Sequence, residues 1–542
     1  GKGDSRHAIL AEADHISAGE RESSDEVFTL APLKSVFAGV KCGGRGAAPG
    51  HYYYRPDVLG GSSLYPLRAA SPGDIEKDET SLAASYGTVL DALIADFRLL
   101  RDIADFDAAV DSSLAVLEKN LSLVPSAGYK SIPDVSLYDH LRMTAAIAVC
   151  LHGADDMDRP FMLVEGDISG IQDYIYALRG AEGVDLKMAK RLRGRSFEVA
   201  LVADAVITHV LERLGLTRIH AVFSGGGNFI LLVPASAKNR EALGAAGGTV
   251  NRFLADEYDG RLGLVLADVV IDRAGMEDFP GAVGSLKRSL ASAKQRKFQD
   301  LFDGNFFGPR DFTEDASDVC PLCGRDYEKG TGDTCGYCAR QVLIGELLPS
   351  TGKGAGKPTV IARLRAGSME AAHVSFDGLG IHYHFMKGGA GKVLPGASRA
   401  DLMVLNGVDL DMAVQAAPGV PLSRSFVFAG THVPLDADGS VMTFEDLAET
   451  RVDAYPSMGV LRLDVDDLGF IFSKGLENRS VSRYAALSRS VNSFFQWYVN
   501  DIAARHRAYI TYSGGDDLFV TGNWKDIVDF AADLRERFSD YT

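Results

Sequence analysis

The chain has 542 residues, 46% of them apolar and 24% charged, a globular composition that excludes a disordered or fibrous protein and allows about three or four domains. With 56 Lys plus Arg against 73 Asp plus Glu the formal charge is −17, which argues against a free-standing nucleic-acid coat protein while leaving room for a local basic groove or for RNA held by partner subunits. No apolar run is long enough for a membrane helix, the start GKGDSRHAIL lacks the plan of a signal peptide, and six cysteines with four in one cluster are not a secreted disulfide framework, so a cytoplasmic protein without a membrane partner is expected.

In chain order, residues 1–50 open on a helical period and run into a Gly-rich loop. Residues 80–152 place Leu90, Leu93, Ile94, Phe97 and Leu100, then Leu141, Ala145, Ile147, Ala148 and Leu151, at helical spacing. PFMLVEGDIS (160–169) is a short apolar run ending in turn residues, which predicts a buried strand. A long helix is expected from Met188 to Leu214. Two strands, IHAVFS and NFILLVP, flank Gly225, Gly226 and Gly227, and LGLVLADVVI (262–271) is a further strand. Residues 281–300 are helical and basic, a Cys-rich knob spans 318–340, and 350–455 is a mixed stretch with short strand-like runs.

From Met458 the pattern of residues 160–234 returns as strand, turn, helix (Val481 to His506) and hairpin (YITYSGGDDLFVTG), followed by a final helix from Trp524 to Phe538. VEGDISGI (164–171) parallels LRLDVDDLGFI (461–471), and FSGGGNFILLV (223–233) parallels YSGGDDLFVTG (512–522). Two matched elements in the same order with a helix between them indicate a duplicated domain with a period of about 290 residues. Each copy predicts a ferredoxin-like split βαβ unit.

The second hairpin carries Ser513, Gly514, Gly515, Asp516 and Asp517. Two glycines in a tight turn permit positive φ and close approach of a ligand. Adjacent carboxylates repel unless a cation lies between them, and Asp464, Asp466 and Asp467 end the neighbouring strand. Hard oxygen ligands of this kind suit Mg²⁺ or Mn²⁺, and two such ions clamp the attacking and leaving oxygens of a phosphoryl transfer. The alternative is a solvated Gly-Asp turn. In the first copy Ser224, Gly225, Gly226, Gly227 and Asn228 retain the glycines and lose both carboxylates, although Asp167 remains. That copy is expected to bind nucleotide without catalysis, with Ser169 and Gly170 offering backbone amides to phosphates. Two nucleotides facing each other would let the 3′-hydroxyl of one attack the α-phosphate of the other.

Cys320-Pro-Leu-Cys323 and Cys335-Gly-Tyr-Cys338, eleven residues apart, have the spacing of a closed structural Zn²⁺ site. Lys187, Lys190, Arg191, Arg193 and Arg195 read either as a solvated helix face or as a basic patch near phosphates, as do Lys287, Arg288, Lys294, Arg296 and Lys297. His382 and His384 read as packing residues on a strand.

GDISGIQDYIY (166–176), AKRLRGRSFEVALVAD (189–204), FSGGGN (223–228), the Cys cluster, GVLRLDVDDLG (459–469) and YSGGDDLFV (512–520) together resemble the large palm-domain subunit of type III CRISPR effector complexes, in its Csm (type III-A) branch. The resemblance implies an α+β chain of two nucleotide-cyclase (GGDEF-like) palms. A degenerate palm 1 would span 81–275, a helical and zinc-knuckle domain 276–350, and a GGDD palm 2 351–542, after an HD-like remnant and linker at 1–80. It implies synthesis of cyclic oligoadenylates from ATP, switched on by target RNA, with guide RNA and target RNA reached through the other subunits of the complex. Metal ligation maps onto Asp464, Asp516 and Asp517 with the Val465 carbonyl, and nucleotide contacts onto Ser224 and Ser513 together with Asp167, Leu468 and Gly469. Asp14 would match the last ligand position of an HD nuclease domain, but no His-Asp dipeptide occurs in the chain, so HD nuclease activity is not expected. The chain also stops in a helix before the strand expected to complete the second palm, and reads as shortened. The competing expectations are a non-catalytic nucleotide-binding scaffold that senses RNA and a stand-alone nucleotide cyclase, the latter leaving the zinc knob and the asymmetric duplication unexplained.

Overall fold

The computed structural model describes residues 2–20, 23–27, 30–41, 51–60, 66–69, 79–176, 188–302, 317–328, 332–348, 359–476, 480–515 and 517–542. Asp516, Lys187 and Cys42 lie outside the described residues. Among the described residues the N-terminal part holds four helices, with short strands between them: α1 (Lys2–Ser17), α2 (Glu79–Arg98), α3 (Phe106–Leu121) and α4 (Leu137–Gly153). Asp105 and Ser136 cap α3 and α4 by accepting from Ala108 N and Asp139 N at 2.8 and 3.0 Å. On α2 the predicted apolar stripe is only partly used, since Leu90, Ile94 and Phe97 stay exposed.

The first repeat runs β1 (Phe161–Ser169), α5 (Ile171–Tyr176), α6 (Met188–Leu214), β2 (Ala221–Gly225), β3 (Asn228–Pro234), α7 (Ala237–Tyr258) and β4 (Gly263–Ile271), followed by α8 (Phe279–Lys294). Its sheet has the order β2-β3-β1-β4 with every neighbour antiparallel. Along β1 and β3 alternate residues enter different cores. Phe161, Leu163, Ile230 and Leu232 join the core shared with the second repeat. Met162, Val164, Phe229 and Leu231 join the one formed with α6, α7 and the next sheet. Burial on both faces is why these strands are continuous apolar runs rather than alternating ones.

Beyond the Cys-rich segment and α9 (Gly336–Leu347) lies a five-stranded sheet: β5 (Val360–Arg365), β6 (Val374–Phe376), β7 (Ile381–Met386), β8 (Arg399–Leu405) and β9 (Leu422–Val427), in the order β6-β7-β5-β8-β9. An ionic network ties it to α6. Arg363 donates to both Asp204 oxygens at 2.8 and 2.9 Å and to Asp401 at 3.0 Å, and the Tyr383 hydroxyl donates to Asp204 at 2.7 Å. Burial raises the pKa of Asp204, but Arg363 and Arg218 outweigh it and hold the carboxyl well below the usual range. His382 is fully buried with Nε2 at 3.1 Å from the Ala366 carbonyl, so it is a packing residue.

The second repeat is β10 (Met458–Leu463), α10 (Val481–Ser493), a π-helical turn at Phe494–Tyr498, α11 (Val499–Arg505), β11 (Tyr509–Gly514), β12 (Asp517–Asn523) and α12 (Trp524–Tyr541). Among the described residues its sheet is β10-β12-β11, the order of the first three strands of the first repeat. Even the irregularity is repeated. A register shift falls between Ala221 and Phe223 in β2 and between Ile510 and Tyr512 in β11, at equivalent positions of the two hairpins. Among the described residues no helix is long and apolar enough to cross a membrane.

Candidate functional site

Both hairpins close on a turn with positive φ. Gly226 and Gly227 have φ of 60° and 85°, and Gly515 has φ 65°. Glycine is needed here for a second reason: the two tips touch. A Cβ on Gly515 would stand 3.3 Å from Gly226 N and 3.4 Å from its Cα, so the backbones of the repeats are in contact with no side chain between them. Asn492 of α10 clasps the first tip by donating to the Ser224 carbonyl at 2.6 Å.

The ladders define equivalent positions. In the first sheet Asp167 pairs with Asn228. In the second the last pair is Leu463 with Leu518, so the register runs on toward Asp464 and Asp517. Asp464 is exposed and Asp517 partly so. Asp517 Oδ2 accepts from the side-chain amide of Gln172 at 3.1 Å, and the Gln172 oxygen accepts from Arg462 at 3.1 Å. Gln172 belongs to α5 of the first repeat, so this bridge crosses between repeats. Sequence reasoning missed it, and only the presence of Gln172 inside GDISGIQDYIY hinted at it.

The remaining predicted residues divide. Asp464, Val465 and Leu468 line a cavity of about 690 Å³ floored by Phe494, Phe495 and Phe538. Ser224 and Asn492 line a second cavity of about 320 Å³. Gly469 is exposed beside Leu468. Gly170 has φ 94°, and a Cβ there would strike the Arg261 carbonyl. The Ser169 hydroxyl donates to Gly263 O at 3.1 Å, and the Ser513 hydroxyl donates to Phe495 O in the π-helical turn, so both hydroxyls are engaged by backbone. Asp167 is paired with Lys294 at 2.9 Å. Asp14 contacts His140 Nε2 at 3.0 Å on α4.

The structure corrects both readings of the basic run on α6. Arg191, Arg193 and Arg195 are 3%, 3% and 4% exposed, so they form neither a solvated face nor a surface patch. Arg193 donates to the carbonyls of Gly345 and Thr431 at 3.1 and 2.7 Å, and Arg195 stacks 4.2 Å over the Tyr174 ring. Burial pulls the Arg193 guanidinium down to about 10. Lys190 alone of the described members remains at the surface, paired with Glu346 at 3.2 Å.

The four cysteines converge, with every Sγ within 4.8 Å of the others. Cys320–Cys338 and Cys323–Cys335 are separated by 3.9 and 3.5 Å, far beyond a disulfide bond and near the about 3.8 Å edge of a tetrahedron with 2.3 Å metal–sulfur bonds. Hydrogen bonds from Cys335 and Cys338 hold the Cys323 thiol far below its ordinary pKa, while Cys323 drives Cys338 far up. Cys335 caps α9, whose Arg340 and Gln341 bind the fully buried Glu198 of α6 at 2.8 and 3.1 Å. The helices approach through glycines: a methyl on Gly194 would collide with the Gln341 carbonyl, and one on Gly345 with the Lys190 carbonyl.

Residues 160–307 match the family described as Csm1 subunit domain B, and residues 457–542 the second palm domain of Cas10/Cmr2. Among curated proteins, the CRISPR system single-strand-specific deoxyribonuclease Cas10/Csm1 (subtype III-A) of Mycobacterium tuberculosis is 28% identical over 544 residues, covering 92% of this chain and 64% of its own length. Its counterpart in Thermococcus onnurineus is 30% identical over 575 residues, covering 98% and 67%. The chain thus spans about two thirds of the length of these relatives. Crystal structures of a Csm1-Csm4 cassette in complex with cA4 and with one ATP each superpose with TM-score 0.71 at 23% identity, over 98% of this chain and 65% and 66% of theirs. Two repeats meeting tip to tip, a four-cysteine knob docked on the first, and relatives that extend over nearly its whole length together make this chain a member of the Cas10/Csm1 family of subtype III-A.

Proposed function

We propose that this chain is a nucleotidyltransferase of a type III-A effector complex, joining ATP into cyclic oligoadenylates where its two repeats meet. The observation that carries the reading is the backbone contact of Gly226 with Gly515, with the hairpin carboxylates Asp516 and Asp517 present on the second side only. Two cavities, one lined by Ser224 and Asn492 and the other by Asp464 and Val465, give room for two nucleotides. Asp464, Asp516 and Asp517, with the Val465 carbonyl, are the groups that would hold Mg²⁺ or Mn²⁺; the ions would supply charge neutralisation at the transferring phosphate. The chain's part is positional. The glycine tips let the nucleotides approach the backbone, and Gln172 and Asn492 fix one repeat against the other. The 3′ oxygen of one nucleotide bonds to the α-phosphorus of the other, the bond to pyrophosphate breaks, and the hydroxyl proton passes to solvent.

In the same proposal each repeat is a ferredoxin-like palm, the chain divides at 80, 275 and 350, and Cys320, Cys323, Cys335 and Cys338 hold structural Zn²⁺. The chain works in the cytoplasm beside a Csm4-type subunit, with guide RNA and target RNA reached through the complex. Solved relatives described as bound to ATP, cA3 and cA4 support the choice of nucleotide. HD nuclease chemistry is not assigned to this chain. The test incubates the full complex and target RNA with labelled ATP. Product and pyrophosphate are expected from the wild type and neither from Asp516→Ala/Asp517→Ala; equal product from both would overturn the reading.

A further inference from the structure

We propose that the first repeat holds the phosphates of its nucleotide without a divalent ion, the resident cation there being the ammonium of Lys294. This rests on the nucleotide reading above and adds to it how one of the two sites neutralises charge.

Equivalent positions of the two repeats differ in a consistent direction. Where the second has Asp464, the first has Asp167, and its Oδ2 is taken by Lys294 Nζ at 2.9 Å. Where the second has Asp517, the first has Asn228, whose amide donates to Glu165 Oε1 at 3.0 Å. Where the second has Asp516, the first has Gly227, and Ile171 Cδ1 is packed into the space a Cβ would need. One acidic ligand is thus neutralised, one is replaced by an amide, and one is excluded sterically. The nearby Glu165 does not restore the set, because burial raises its carboxyl pKa, while Lys287 and Lys294 face it and Asp167 adds like charge. A divalent ion entering here would have to expel an ammonium and bind few anionic oxygens in return.

What remains is suited to an oxyanion. Lys294 has three N–H donors and one is spent on Asp167. Lys297 stands close by, its stem lying over Gly263, the ladder partner of Ser169. Desolvation lowers the Lys297 pKa and Asp167 partly restores it, so a second ammonium at the end of β1 is only partly compensated. Lys294 thus reaches the strand position paired with Asn228 at the tip, while Lys297, its ammonium 4.8 Å over the Phe298 ring, lies against Gly263, whose partner Ser169 is two residues further along β1. The basic run 287–297 is therefore split by the fold, and Lys294 and Lys297 take the place that divalent ions take in the second repeat.

The experiment counts tight Mn²⁺ sites by electron paramagnetic resonance in the full chain and measures ATP binding in EDTA by calorimetry. Asp464→Asn/Asp517→Asn is expected to bind no tight Mn²⁺, and adding Lys294→Met/Asn228→Asp to it is expected to create one site. In EDTA the wild type should retain one ATP, weakened at least tenfold by Lys294→Met/Lys297→Met and restored by Lys294→Arg. Tight Mn²⁺ on the Asp464→Asn/Asp517→Asn protein that disappears with Asp167→Asn overturns the proposal, as does ATP binding in EDTA that ignores both lysines. Failure to make product from labelled ATP would overturn the transferase reading alone, since the Mn²⁺ count is read without turnover.

Discussion

Replacing Gly194 by alanine tests how the four-cysteine knob is carried. The new methyl would lie on the Gln341 carbonyl, a backbone atom that cannot rotate away, so α6 and α9 must separate. Overpacking of this kind costs about 1–3 kcal/mol. Separation also strains the Glu198–Arg340 pair, whose side chains are 0% and 16% exposed, and a broken buried pair costs about 3–5 kcal/mol. A net loss of about 3 kcal/mol is expected, which lowers Tm by at least about 6 °C for a unit of this size. Gly244→Ala is the matched control, because it sits in α7 with nothing near its Cβ position, and the same change there should stabilise by up to about 1 kcal/mol. Calorimetry reads both, with the zinc proposed for the four cysteines measured after gel filtration. A Gly194→Ala protein that melts within about 2 °C of wild type with its metal content intact would refute the reasoning.

Asp204→Asn removes the charge that faces Arg363 between α6 and the five-stranded sheet; about 3 kcal/mol should be lost, seen as faster hydrogen exchange across 360–405, and unchanged exchange would contradict it. Burial lowers the His220 pKa to about 4 while its Nδ1–H donates to Leu232 O. Because the folded value lies below the unfolded one of about 6.5, this group's stability is complete above that pH and is lost as pH falls toward 4. Between pH 7 and 4.5 the loss is about 2–3 kcal/mol, and Asp204 and Asp401, both held low chiefly by Arg363 against the effect of burial, add to it only further into acid. Urea titrations at the two pH values, with His220→Gln as the variant that should flatten the difference, check the sign. Gln172→Ala takes the amide donor from Asp517; on the proposed metal site, losing a partner that orients this carboxylate is expected to weaken Mn²⁺ binding about 10–100-fold, and an unchanged Mn²⁺ affinity would show the bridge to be incidental.

Sequence alone determined the repeats, because a strand, a turn and a glycine hairpin are local objects: tight turns demand glycine, and Phe161–Ser169 and Asn228–Pro234 are apolar runs of strand length. The four-cysteine cluster was legible for the same reason, its CxxC pairs lying close along the chain. The five-stranded sheet was not, since its strands are short and its order pairs β5 with β7 and β8 rather than with its chain neighbour. Nor could spacing reveal that Arg191, Arg193 and Arg195 are interior: a basic helical run looks the same whether water or another helix covers it, and here the close Gly194–Gly345 approach, the Thr431 carbonyl and the Tyr174 ring cover it. Contacts between residues far apart in sequence, such as Asp167 with Lys294, Gln172 with Asp517 and Gly226 with Gly515, were left to the tertiary structure. Each depends on how elements far apart along the chain pack, and local composition carries no record of that choice.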